Sequence, residues 1–412
     1  MSLIKALGKA PAGPRLQRIL HSSHYRDGSF QNLVPTDASL QDTTMWKMLK
    51  EFRNKPADNV PQKPIPAVRT DLRSLPVNQA TLVWFGHSSY LLKLGSTHIL
   101  VDPVFSGNAS PVSFFAKAYP GADLYKPADM PDTLEAILLT HDHYDHLDYK
   151  TVRQLDARTN HFYTSLGVGA HLEFWGIPAG KITELDWGET VAIDPSGQPA
   201  NPFGQSSMST GRPSNPVGQP STVATQATAE GLIHLTATPA RHFSGRTLKR
   251  GGAAWSSFVL NCPDPGPAAP NSPAATSAAN SPAATSATNS PAKNLNLFLG
   301  GDSGYAPHFK SIGDQFGPFD LAILECGQYG VHWPQIHMFP EETVQAALDL
   351  KARILLPVHW AKFSLALHPW NEPIRRVKAA AQSANLPITT PRIGEPVIIN
   401  HDYPMEPWYD IL

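Results

Sequence analysis

The stretch LLTHDHYDHLD, residues 138 to 148, closes an apolar run by crowding three histidines and three aspartates into eleven positions. AILLT, just before the first histidine, has the composition of a buried strand, and a strand end followed by a short loop delivers its side chains to one place. Imidazole and carboxylate together suit zinc, manganese or iron. Four candidate ligands this close, His141, His143, Asp145 and His146, cannot all serve one ion in relaxed geometry. The spacing therefore points to a binuclear site, with His141 and His143 on one metal and Asp145 and His146 on the other. Such a site needs further ligands from elsewhere in the chain.

Those ligands are available at the ends of later apolar runs: LTATPARHFSGR supplies His242, LNLFLGGDSGY supplies Asp302 and RILLPVHWAKF supplies His359. The runs belong to a longer series of short β-type segments that begins at residue 81, among them TLVWF, SYLLKL, HILVD, SSFVLN and LAILE. Helix-like segments lie between several of them; in PEETVQAALDL, Pro340 suits a first helical position and Glu341 and Glu342 suit the positive helix N-terminus. Strands alternating with helices predict an α/β protein with its sheets buried under helices.

Two stretches interrupt the pattern. Residues 195–230 and 263–293 are rich in Pro, Ser, Ala and Gly, and the second repeats NSPAATSA at 271 and again at 280. Neither carries enough apolar surface to form a core of its own, and strands resume on both sides. Both are expected to be inserts within one domain, 76–412, preceded by an extension, 1–75, that packs one amphipathic helix on the core. That helix is expected in TTMWKMLKEFRN, where Met45, Met48, Leu49 and Phe52 share a face.

A formal net charge of −1 gives no electrostatic support for nucleic-acid binding. The two cysteines, Cys262 and Cys326, lack a Cys-x-x-Cys partner, which argues against a disulfide scaffold or a thiolate zinc site. The N-terminus has no continuous apolar core of the kind a secretory signal requires, and no apolar run is long enough to span a bilayer. A cytoplasmic location is expected; contact with a membrane surface, through the face of Met45, Met48, Leu49 and Phe52, is left open, as is oligomeric state.

Taken together, His141, His143, Asp145, His146, His242, Asp302 and His359 resemble, in order and context, the ligand signature of the metallo-β-lactamase fold. WFGHSSYLLKL, VDPVFS, THDHYDHLD, PARHFSGR, GGDSGY and LPVHWAKF look more narrowly like the branch containing N-acylphosphatidylethanolamine-hydrolysing phospholipase D and its bacterial relatives. HYRDGSFQNL, near residue 24, also looks like the start of such proteins.

The resemblance implies an αββα sandwich of two facing mixed sheets flanked by helices, with two metals at one edge. His141, His143 and His242 would hold the first metal, Asp145, His146 and His359 the second, and Asp302 would bridge them. Zinc is the expected metal, with manganese or iron as alternatives. The implied activity is hydrolysis of a phosphodiester, of phospholipase D type, on a small molecule or lipid such as an N-acylphosphatidylethanolamine. Asp145 would act as ligand and proton acceptor, His337 as substrate contact or general acid, and Tyr144 as a substrate contact. Two alternatives stand beside this: a lactonase or other carbonyl-ester hydrolase, and a non-enzymatic, metal-stabilised interaction protein. His87 and Asp102 are expected to brace ligands through hydrogen bonds, and Arg246, Lys249 and Arg250 are left outside the site.

Overall fold

Apolar runs become strands wherever both faces of the segment are covered. In the computed structural model, which describes residues 3–38, 44–112, 114–200, 232–246, 250–266 and 294–410, β6 (Leu134–Leu139) is buried at all six positions. It lies between parallel neighbours, and a strand covered on both faces reads as a continuous hydrophobic run and not as an alternation.

Ahead of the sheets come α1 (Leu3–Leu7), α2 (Gly13–His21), a small antiparallel ribbon of β1 (Tyr25–Arg26) and β2 (Ser29–Phe30), and α3 (Met45–Arg53). The sequence reading expected one helix here; the described residues hold three. α1 is only five residues long, and in α2, GPRLQRILH, the apolar stripe of Leu16, Ile19 and Leu20 spans little more than one turn. α3 follows Thr44, whose hydroxyl accepts from the Lys47 backbone N–H. The side chains of Met45, Met48, Leu49 and Phe52 lie outside the described residues.

The first sheet contains β3 (Thr81–Trp84), β4 (Tyr90–Leu94), β5 (Thr97–Val101), β6, β7 (Thr159–Ser165) and β8 (Ile182–Leu185) in that spatial order, antiparallel from β3 to β5 and parallel from β5 to β8. The second contains β9 (Thr190–Ile193), β10 (Ile233–Pro239), β11 (Ser256–Pro263), β12 (Asn294–Leu299), β13 (Leu321–Glu325) and β14 (Leu355–Val358), with parallel pairing only from β12 to β14. The last strand, β15 (Pro396–Ile398), returns to the first sheet beside β3.

Leu82, Ile137 and Phe162 of the first sheet share one buried core with Leu235, Leu260 and Phe298 of the second, so the sheets face each other. Helices α4 (Tyr149–Leu155), α5 (Gly169–Phe174), α6 (His308–Phe316), α7 (Pro340–Asp349) and α8 (Glu372–Ser383) add Val152, Leu172, Phe309, Val344 and Ile374 to the same core. This is the expected α/β sandwich of two mixed sheets flanked by helices, and Pro340 does open its helix.

Strand direction fixes where loops gather. β3, β5 and β6 run the same way in the first sheet, and β10, β12, β13 and β14 do so in the second. The inserts leave from the other end of the second sheet, between β9 and β10 and between β11 and β12, where Ile193 pairs with Ile233 and Pro263 with Asn294. β11 thus runs one residue into the stretch read as an insert, as proline at a strand terminus permits. Residues 195–200 form a turn on the Asp194 carboxylate, which accepts from the backbone N–H groups of Ser196 and Gln198. Residues 201–231 and 267–293 lie outside the described part.

Candidate metal centre

The end of β6 releases residues 141–146 into a short loop, and the loops after β10, β12 and β14 bring in His242, Asp302 and His359. His141, His143, His242 and Asp302 each place a ligand atom within 4.8 Å of the others, and so do His87, Asp145, His146 and His359. Asp302 stands between the two groups. Its Oδ2 lies 3.7 Å from His141 Nε2 and 3.8 Å from His242 Nε2, while its Oδ1 lies 3.1 Å from both His146 Nε2 and His359 Nδ1. Two glycines make this possible. A Cβ at Gly300 would stand 2.6 Å from the Ile323 carbonyl, and one at Gly301 would stand 2.8 Å from the Ser256 carbonyl, so only GGDS can thread Asp302 between the sheets.

One nitrogen of each of four rings is anchored to a neighbouring group, and in His359 it is Nδ1, the same atom that faces Asp302 Oδ1. His141 Nδ1 meets Thr140 Oγ1 at 3.0 Å, His146 Nδ1 meets Asp102 Oδ2 at 2.7 Å, His242 Nδ1 meets the Ile336 carbonyl at 2.8 Å and His359 Nδ1 meets Ser88 Oγ at 2.9 Å. Asp102 also accepts from the Thr140 N–H and hydroxyl, so it braces the whole loop, as expected. Nε2 of His141, His146 and His359 and Oδ1 of Asp302 are buried without a hydrogen-bond partner. Leaving one buried polar atom unpaired costs about 1–3 kcal/mol, and these residues, grouped around Asp302, form a donor set that fits divalent cations.

Electrostatics point the same way. Burial holds His141, His242 and His359 well below the usual imidazole range, and crowding by neighbouring histidines lowers them further, leaving neutral rings with free lone pairs. Burial opposes the charge of Asp145 and Asp302, yet the surrounding histidines keep both carboxylates below their ordinary range. Burial would also lower His146, but Asp302, Asp145 and Asp102 outweigh it and raise the ring well above its usual value.

His87 enters the second group through Asp145: its Nε2 is 2.9 Å from Asp145 Oδ2. The backbone is unusual here, with His87 at φ 53°, Asp102 at φ 41° and His359 at φ 67°, a left-handed region that is strained by about 1–3 kcal/mol for side chains of this kind. His87 N donates to the Trp360 carbonyl and His359 N donates to the His87 carbonyl, which locks the two loops together.

Sequence reasoning missed Glu325. It ends β13, is buried, and its Oε2 lies 2.7 Å from His337 Nδ1. The His337 ring stands 5.2 Å from that of His359 and 5.1 Å from that of His242, so His337 borders both groups. Burial raises the Glu325 carboxyl; it works against the charge of His337, but Glu325 more than offsets this and raises the ring. The signal was present, since LAILE is another apolar run ending in a polar residue.

Tyr144 is turned differently from the ligands beside it. Its hydroxyl donates to the Arg246 carbonyl at 3.0 Å and its ring packs under the Arg246 guanidinium. Arg246 itself is buried and donates to the Asp142 carbonyl at 2.8 Å, so it supports the ligand loop; Arg250 is exposed, and Lys249 lies outside the described residues. Asp148 caps α4 through the Lys150 N–H, and Asp142 accepts from Gly245 N. Cys262 and Cys326 are free and buried.

Comparison with known proteins agrees with this arrangement. Residues 97–270 and 284–360 match the family described as Beta-lactamase superfamily domain. An uncharacterized protein of Mycobacterium tuberculosis, Rv0906, is 32% identical over 393 residues, which is 94% of this chain and 87% of that protein. Outer membrane protein RomA of Klebsiella pneumoniae is 46% identical over 121 residues, 29% of this chain and 69% of the relative. N-acyl-phosphatidylethanolamine-hydrolyzing phospholipase D 1 of Caenorhabditis elegans is 25% identical over 296 residues, 68% of this chain and 64% of the relative. With two facing mixed sheets, clustered histidines and aspartates at their shared edge and this family match, the chain belongs to the β-lactamase superfamily, as a metal-dependent hydrolase of the metallo-β-lactamase fold.

Proposed function

We propose that the protein is a binuclear phosphodiesterase of phospholipase D type, acting on N-acylphosphatidylethanolamine-like lipids or other phosphodiesters. His141, His143 and His242 would hold one metal, Asp145, His146 and His359 the other, with Asp302 shared and zinc the favoured ion. The observation that carries the reading is the Asp302 carboxylate, set with one oxygen toward each histidine group. The relative named as a phospholipase D supports the substrate class, and the buried cysteines, neither of which belongs to the ligand groups, leave a set of histidines and carboxylates.

Metals bound there would lower the pKa of a coordinated water towards neutrality and polarise the oxygen under attack. The chain's own residues supply the rest. Glu325 accepts from His337 Nδ1–H and fixes the ring beside both ligand groups, so that His337 Nε2 can pass a proton to the leaving alkoxide. His87 fixes the Asp145 carboxylate, which takes up a proton from the attacking water or holds its orientation.

The test is a substrate panel that pairs a soluble phosphodiester and N-acylphosphatidylethanolamine in detergent with phosphorylated lactones. Metal-loaded protein is expected to cleave the phosphodiesters, and Glu325→Gln to lower kcat by about ten- to a hundred-fold with little change in KM. Turnover of lactones alone would instead establish the carbonyl-hydrolase reading, and metal binding without any turnover would leave an interaction protein.

A further inference from the structure

The stretch matched to the superfamily begins at residue 97, yet residues far upstream touch the metal loops. The loop after β10, residues 240–246, has no regular structure, so the sheet does not pair its backbone groups. At His242 that task falls to Asn32. Its Nδ2 donates to the His242 carbonyl at 2.8 Å, and its Oδ1 accepts from the His242 N–H at 3.0 Å. Trp255 Nε1 donates to the same Oδ1 at 3.0 Å, which fixes the amide's own orientation.

One side chain thus holds both backbone polar groups of a single candidate ligand. The ring is set independently, because His242 Nδ1 donates to the Ile336 carbonyl and Nε2 is left facing His143 Nδ1 at 3.1 Å. The neighbouring Arg241 strengthens the link. Its guanidinium donates to Thr36 Oγ1 and the Pro35 carbonyl on the arm and to the Tyr305 carbonyl beyond Asp302. A contact of this kind serves more than cohesion: a ligand whose peptide is free to rotate must be ordered each time an ion binds, and a clasp removes that cost beforehand.

We infer that Asn32 is a positioning residue of the metal centre: its amide clasps the His242 peptide and presets the loop for the ion shared with His141 and His143. The inference rests on the reading of His242 as a ligand. It makes the amino-terminal arm part of the site and not only a packing element.

The experiment is titration of the metal-free full-length protein with cobalt(II), followed by its visible absorption and by competition with a chromophoric chelator. The wild type is expected to take up cobalt in two steps. Asn32→Ala should weaken one step by about ten- to a hundred-fold, the usual effect of losing a partner that orients a ligand, and leave the other within about two-fold. Asn32→Asp keeps the shared acceptor but turns a carboxylate oxygen against the His242 carbonyl, so it should weaken the same step at least as much as Asn32→Ala. Both steps unchanged in the two variants, or both weakened together, would overturn the inference. Failure of both variants to fold would overturn it as well, because the clasp would then brace the whole fold. A wild type that binds no cobalt through its histidines would contradict the ligand reading itself, a result distinct from these.

Discussion

His359 shows how a single residue joins sequence pattern to site. It follows the LLPV strand directly, sits at φ 67°, and has one ring nitrogen tied to Ser88 and the other buried without a partner. Its position was legible because a polar residue after an apolar run stands out, and the same holds for His141, His242 and Asp302. Glu325 carried an identical signal but lacked a nearby histidine in sequence; its partner, His337, is twelve residues away along an irregular loop. Asn32 lies in HYRDGSFQNL, a stretch legible by resemblance, but its own role was not, since an asparagine that bonds a distant backbone looks like any turn residue. Outside the site, His308 is buried beside Ser303, and burial together with the nearby Arg241 pushes it down to about 3. The unfolded chain binds this proton at higher pH, near 6.5, so His308 contributes stability that is full above that value and lost as pH falls towards 3. Urea unfolding of His308→Gln between pH 6.5 and 4.5 should therefore show a pH slope shallower than the wild type, by a difference that grows to about 1.4 kcal/mol per unit at the acid end, whereas equal slopes would contradict this.

At the level of elements, strands with continuous apolar runs were readable and polar ones were not. β7, TNHFYTS, is almost wholly buried, yet five of its seven residues are Thr, Asn, His or Ser. Thr159 donates to the Leu155 carbonyl, Thr164 donates to the Leu139 carbonyl and His161 Nε2 meets the Thr183 hydroxyl, so each of these side chains finds a partner inside the fold for at least one polar atom. Hydropathy cannot see such pairing. β9 and β15 escape notice for another reason, being edge strands of four and three residues. The two stretches read from composition as inserts lie between paired strands of the second sheet. Strands of six and seven residues, about 20 Å, separate their attachment points from Asp302 and His242. Shortening residues 267–293 to a few glycine and asparagine residues should leave metal content and hydrolysis within about two-fold and raise stability by on the order of 1 kcal/mol through a smaller loop. A loss of hydrolysis in a folded, metal-replete deletion would show that the insert acts on the site.

For the molecule as a whole, two mixed sheets share one core and turn the ends of seven strands towards a common edge. The superfamily supplies that edge, and the arm before residue 97 reaches it through Asn32. Among the described residues no helix is long and apolar enough to cross a membrane, so a lipid substrate would be met without a spanning helix from this part of the chain. In the function proposed above, Asp302 unites two metal sites into one hydrolytic centre. That role is tested most directly by elemental analysis of purified wild type and Asp302→Ala, with phosphodiester hydrolysis measured on the same samples. The expected result is close to two metals per chain in the wild type and at most one in the variant, with hydrolysis lost. A folded Asp302→Ala protein that keeps two metals and its activity would contradict it.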